Sequence, residues 1–219
     1  MGVMGYDEAS ALQRRLMQLR LQERIEDIVL LMEHPPTITL GRFAGNGSIL
    51  ADEAELATQK VSVCRSDRGG DATVHCPDQL VVYPIMNLKN RGGKLREYLH
   101  DLEEVALCTL SDFGISAGRL SHPGIWVNGM QIGAIGLRIS HGISMHGLSL
   151  NVNPDMSIFN MINLCGMTET RPTSMAAQMG HPIDMRSVMD HVADNFSTIF
   201  EVTLEQISAE QVMQDAYCG

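Results

Sequence analysis

Lysine is nearly missing from this chain: Lys60, Lys89 and Lys94 are the only three in 219 residues. With 16 basic against 26 acidic side chains, the formal net charge is -10. Such a chain repels a phosphate backbone, which excludes bulk nucleic-acid binding. An acidic protein partner would need a local basic patch. The cysteines, at 64, 76, 108, 165 and 218, never form C-x-x-C, so neither a zinc knuckle nor a dithiol centre is spelled out. Their odd count fits free thiols in a reducing compartment. No run approaches the roughly 20 apolar residues of a membrane-spanning helix, so no membrane association is expected. Asp7 and Glu8 stand where a secretory leader would be basic. These absences lead to the expectation of a cytoplasmic protein. What is present is ordinary globular composition, 44% hydrophobic and 19% charged, in a length that fits one domain over residues 1–219.

Periodicity gives the elements. Residues 6–24 place Ala9, Leu12, Leu16 and Leu19 at helical spacing, with arginines on the other faces. Residues 28–32 form a short apolar run that stops at His34-Pro35-Pro36, the pattern of a buried strand. Residues 37–40, 61–64 and 79–88 read as further strands. Residues 94–113 are helical through Leu95, Leu99, Leu102, Val105, Ala106 and Leu110, with Gly114 suited to the C-terminal cap. Asn128-Gly129 is a tight-hairpin signal between two strands. Residues 134–139 and 143–152 pair across a turn at His141-Gly142. In the second, Leu148, Leu150 and Val152 alternate with Ser149 and Asn151, which predicts one buried face. A short helix over 155–162, a helix over 185–200 and a capped helix from Ser208 follow. Hairpins mixed with helices, without strict strand–helix alternation, place the chain in the α/β class in its α+β, mixed-sheet form.

Three segments concentrate glycine and polar residues beside apolar strands. The first is Arg68-Gly69-Gly70-Asp71-Ala72-Thr73-Val74-His75, where paired glycines serve either a plain turn or a close backbone approach to a ligand. The second is residues 128–136 together with His146-Gly147-Leu148-Ser149. Small residues at Gly133, Ala134, Gly136 and Gly147 serve either tight hairpin packing or room for an apolar chain. The third is Cys165-Gly166, either a buried structural thiol or an exposed reactive one.

Read in order, these segments resemble one family. Glu33-His34-Pro35-Pro36, Thr39-Leu40-Gly41-Arg42, Arg68-Gly69-Gly70, Thr73, His75, Gln79-Leu80-Val81, Tyr83-Pro84-Ile85, Pro123-Gly124-Ile125-Trp126-Val127, Ile135-Gly136, Arg138-Ile139, residues 146–152, Cys165-Gly166 and Thr173-Ser174 resemble the motifs of the lipoyl (octanoyl) transferase family, also called lipoate-protein ligase B. The resemblance implies the catalytic fold shared with biotin protein ligases and lipoate ligases. It implies transfer of octanoyl from acyl carrier protein to a lysine of the lipoyl domains of oxo-acid dehydrogenase E2 subunits and of the glycine-cleavage H protein, as a monomer with no cofactor and no metal. The acyl group would rest on Cys165 as a thioester, which an amine then converts to an amide. Arg68, Gly69, Gly70, Asp71, Ala72, Thr73, Val74 and His75, with Ala134, Ile135, Gly136, Gly147, Leu148 and Ser149, would line the substrate pocket.

The chain departs from that family where it matters most. The family pairs its cysteine with a lysine, and Gln131 stands at that position; an amide neither lowers a thiol pKa as an ammonium does nor accepts a proton. His146, ahead of His75, is the candidate substitute base, and the alternative for both is to shape the pocket or hydrogen-bond the backbone. Cys76 and Asp78 replace glycines, which strains the backbone if those glycines have positive φ, and Cys76 becomes a rival thiol. Cys64 reads as core. Lys89, Arg91, Lys94 and Arg96 form a basic cluster that serves either to dock an acidic carrier or as a solvated loop and helix start. Two other readings remain: an ATP-dependent ligase of the same fold, and a non-catalytic protein that binds acyl chains or acyl carrier protein.

Overall fold

The computed structural model describes residues 1–164 and 171–217. Helix α1 (Tyr6–Leu21) is followed by β1 (Ile28–Met32), β2 (Thr37–Leu40), α2 (Glu53–Thr58), β3 (Ser62–Arg65), β4 (Ala72–His75) and β5 (Gln79–Ile85). Then come α3 (Leu95–Asp112), β6 (Ile125–Val127), β7 (Met130–Ser140), β8 (Ile143–Asn151), α4 (Met175–Met179), α5 (Met185–Phe200) and α6 (Ala209–Tyr217), with 3-10 turns at Leu88–Arg91 and Met156–Met161. A five-stranded antiparallel sheet runs β1-β5-β8-β7-β6, and a small sheet runs β3-β2-β4 with β2 and β3 parallel. That parallel pair makes the architecture mixed, as expected from the sequence.

Helices cover both faces of the large sheet. On α1 the buried residues Ala9, Leu12 and Leu16 pack with α6 on Leu30, Met32, Val81, Tyr83 and Ile85. On the other face Leu80, Val82, Leu148 and Leu150 meet Leu102, Val105 and Leu110 of α3 and Val188, Val192 and Phe196 of α5. Period-two alternation along β5 divides its side chains between the two layers. A third cluster joins Ile38, Val74 and Cys76 of the small sheet to Phe159, Met161, Ile162 and Leu164.

Both hairpin turns use left-handed pairs: Asn128 (φ 50) with Gly129 (φ 79), and His141 (φ 55) with Gly142 (φ 90). Three expectations need correction. Residues 130–140 form one long strand rather than two. β1 is an edge strand with only Leu30 and Met32 buried. β8 is central and buried on both faces, Ser149 and Asn151 included, because the face carrying them is roofed by other chain segments rather than by water. The short helices α2 and α4 were not foreseen. Each is capped by a side chain, Asp52 and Ser174 respectively, a local signal too brief to show as periodicity.

At Gly147, β8 runs tight against β5. A Cβ there would lie 2.0 Å from the Val82 carbonyl oxygen. Only main-chain separation relieves that clash, so Gly147→Ala should lower stability by about 3 kcal/mol, read from urea unfolding.

Candidate acyl-transfer cleft

A cleft opens where α1 stops covering the large sheet. Its walls are the 68–75 segment, the β7 residues 134–136 and the β8 residues 146–149, with Tyr6, Val81 and Tyr83 as floor. The 68–71 loop is held by Arg68, which is 7% exposed. Its Nε donates to Thr39 Oγ1 (3.1 Å), Nη2 to Thr39 O (2.7 Å) and Asp71 O (2.7 Å), and Nη1 to Gly69 O (3.0 Å). The fork geometry of guanidinium lets one side chain close that loop onto β2. Gly41 gives it room: a Cβ there would sit 2.4 Å from Gly70 O and 2.8 Å from Arg68 Nη1.

The floor is polar in composition yet offers few open polar atoms. His34 Nδ1 donates to Met4 O (2.7 Å), and its Nε2 accepts from the Tyr83 hydroxyl (2.9 Å). Tyr6 Oη donates to Ser66 Oγ (2.7 Å). The rings of Tyr6, His34, His75 and Tyr83 lie 5.3 to 5.8 Å apart. Burial pushes both tyrosines up and both histidines down, so all four are neutral near pH 7. An uncharged aromatic floor, with His34 and both tyrosines hydrogen-bonded, suits an apolar chain.

At one end His146 has φ 58, which breaks the alternation of β8, and its ring lies against Tyr83. His146 Nε2 donates to Asp67 Oδ1 (2.8 Å), and Asp67 also binds Arg138, with Arg14 3.9 Å away. The hydrogen bond from His146, with the cations behind it, holds the Asp67 carboxyl down at about 2. Its unfolded value is about 3.9, so the cluster stabilises fully above about pH 4 and loses that contribution as pH falls toward 2. Asp67→Asn should therefore cost about 1 kcal/mol at pH 6, allowing for screening of a one-third exposed carboxylate. The gap to wild type should close by pH 2, read from urea midpoints at several pH values.

Of the fourteen residues expected to line a pocket, twelve do so; Gly69 and Val74 do not. His146 joins them, but stands opposite Leu137, six residues along β7 from Gln131. At about 3.3 Å per residue that is roughly 20 Å, so the structure does not bring His146 and Gln131 together. Gln131 is 4% exposed, and its main chain is tied to the returning segment: Gln131 N donates to Arg171 O (2.9 Å) and Thr173 N to Gln131 O (2.8 Å). Cys165 lies outside the described residues. Cys76 is not in the cleft: it alternates away from His75 into the small-sheet cluster, and burial with Asp155, Asp78 and Glu33 pushes its thiol up to about 12. Cys64 is half-buried on an edge strand, not core. Asp78 does take positive φ (63), as expected of a glycine position, whereas Cys76 does not. The basic cluster is partly engaged: Arg91 lies over the Phe200 ring at 4.9 Å and donates to Phe200 O, and Lys94 pairs with Glu97. Among the described residues no three His, Cys, Asp or Glu side chains could hold a metal ion, and no helix is long and apolar enough to cross a membrane.

Sequence reasoning missed Asp67, Tyr6, Val81 and Tyr83. Tyr6 opens the buried stripe of α1, a signal that was readable. Nothing in the pattern marks Asp67.

Known proteins agree with this architecture. The sequence model of the lipoyl protein ligase A/B catalytic domain matches residues 5–197. An octanoyltransferase of Desulforamulus reducens is 40% identical over 214 residues, 97% of this chain and 94% of the relative. A crystal structure of lipoate-protein ligase A bound with ATP superposes with a TM-score of 0.77 at 14% identity, over 94% of this chain and 85% of that one. Biotin protein ligase from Aquifex aeolicus, in complex with biotin and ATP, gives 0.51 at 13% identity over 75% and 70%; these two likenesses speak to fold alone. The chain belongs to the lipoyl protein ligase A/B catalytic-domain family, among its octanoyltransferases.

Proposed function

We propose that this acyltransferase takes octanoyl from the thioester of an acyl carrier protein onto Cys165 and passes it to a lysine of a lipoyl domain. The acceptors are those of oxo-acid dehydrogenase E2 subunits and the glycine-cleavage H protein. The observation that carries the reading is the cleft itself. Its uncharged aromatic floor and glycine-bearing strand walls suit an unbranched acyl chain, and they are built from the segments that resemble the transferase motifs. The last described residues before position 165 also lie beside this cleft. Asn163 N donates to Ser48 O (2.9 Å), and Ser48 Oγ donates to Asp71 Oδ1 (2.5 Å) on the cleft wall. On the far side Arg171 and Thr173 return against Gln131. The same reading takes residues 1–219 as one catalytic unit acting as a monomer in the cytoplasm.

Transfer needs a thioester exchange and then attack by an amine, with neither ATP nor metal in either step. The test is intact-mass measurement after mixing the protein with octanoyl-acyl carrier protein, followed by addition of a lipoyl domain. The expected result is an octanoyl adduct that moves to the domain without ATP. A requirement for ATP and free octanoate would establish the ligase reading instead. Carrier-protein binding with no adduct would establish the non-catalytic one, which the named activity of the relatives does not favour.

A further inference from the structure

A hydrogen-bond chain running from the cleft to Gln131 fixes the tautomer of His75. Main-chain oxygens only accept. Gln79 Nε2 therefore faces Val74 O (3.0 Å), which turns Gln79 Oε1 to His75 Nδ1 (2.8 Å). Asn151 Nδ2 likewise faces Thr173 O (2.9 Å), leaving Asn151 Oδ1 to accept from Gln79 Nε2 (2.9 Å). Thr173 N then donates to Gln131 O. No amide in this chain can flip without placing two acceptors, or two donors, face to face. His75 Nδ1 must thus carry hydrogen, and in the neutral ring Nε2 is a bare acceptor. Burial among His34, Arg68 and His146 keeps the ring neutral.

Three other polar groups in and behind the cleft are held differently. Both nitrogens of His34 are bonded. Asp71 Oδ1 accepts from Ser48 Oγ and Ala72 N. His146 gives its Nε2 to Asp67, and its Nδ1, buried without a partner, lies at the end of the cleft remote from Gln131.

Resting on the acyl-transfer reading above, we propose that His75 Nε2 is the proton acceptor for the incoming lysine amine, and that Gln79 and Asn151 are positioning residues that hold it in that tautomer. The amine nitrogen bonds to the acyl carbonyl carbon and the carbon–sulfur bond breaks. The nitrogen's proton passes to His75 Nε2 and then to the departing sulfur, which restores the thiol and the neutral ring. No further reactant is needed.

Two measurements test this. Long-range proton–nitrogen NMR of the ¹⁵N-histidine-labelled wild type should show His75 as the Nδ1–H tautomer. Gln79→Ala should mix the tautomers, a change that a purely structural role for Gln79 would not produce. Rapid-quench kinetics should show His75→Gln slowing transfer to a lipoyl domain by 100-fold or more, the scale of losing a general base, with uptake of octanoyl within about 10-fold of wild type. Gln79→Ala should slow transfer in the same direction. An Nε2–H tautomer in the wild type, or His75→Gln transferring within about 3-fold of wild type, would overturn the proposal. A wild type that takes up no octanoyl at all would instead overturn the transferase reading on which it rests.

Discussion

Cys165→Ala should abolish both the octanoyl adduct and transfer to the lipoyl domain, with a loss of about 10⁴-fold or more, as befits removal of a nucleophile. The other described thiols do not offer a substitute. Cys76 is pushed up to about 12, so on the order of one molecule in 10⁵ carries its thiolate at pH 7. Cys64 is raised by burial and by Asp7, and Cys108 by burial and by Glu104. Each lies beside a carboxylate, which opposes thiolate formation. Cys218 lies outside the described residues, so Cys218→Ser is the matched control and should keep wild-type transfer. The measurement is intact mass with peptide mapping of the adduct. An adduct that persists in Cys165→Ala, or maps to Cys76, would remove Cys165 from the reaction.

The fold was legible wherever an element was long and one-sided. The stripe of α1, the helices α3 and α5, and the two left-handed hairpin turns stand in the sequence as spacing and as Asn-Gly or His-Gly pairs. What was not legible was set by layers that meet only in space. Ser149 and Asn151 alternate with leucines like solvent-facing residues, yet both are buried, because the cleft wall and the returning segment at Thr173 lie above them. Cys76 follows His75 at the end of β4, and the two side chains go to opposite sides, so adjacency in a motif misled about which faces the cleft. The glycines offered two readings, packing or room for a ligand, and Gly147 satisfies both: it clears the Val82 carbonyl and borders the cleft. The separation of His146 from Gln131 could not be read at all. It depends on strand register, and register is decided by pairing between β7 and β8.

Gln131→Lys should speed acylation of Cys165 by about 10-fold or more. The position is 4% exposed, and its main chain is locked to the segment at Arg171 and Thr173. A lysine there is desolvated, which pulls its pKa down from about 10.4 toward neutrality. It then has two uses. As ammonium it lowers the pKa of a nearby thiol, and a fall of one unit from about 8.5 raises the thiolate fraction at pH 7 nearly 10-fold, against a modest loss of intrinsic nucleophilicity. As free amine it accepts the proton of an incoming lysine, work that otherwise falls to His75. The variant should therefore also relieve His75→Gln: in the double variant transfer should recover much of the single variant's loss. The side chain has little slack, since a Cβ on Gly124 would sit 2.9 Å from Gln131 Nε2. A side chain longer by one bond plus a buried charge should lower stability by about 1 to 3 kcal/mol, so unfolding midpoints must accompany the rates. A folded Gln131→Lys variant with acylation and transfer both unchanged would show that position 131 lies out of reach of the reacting thiol.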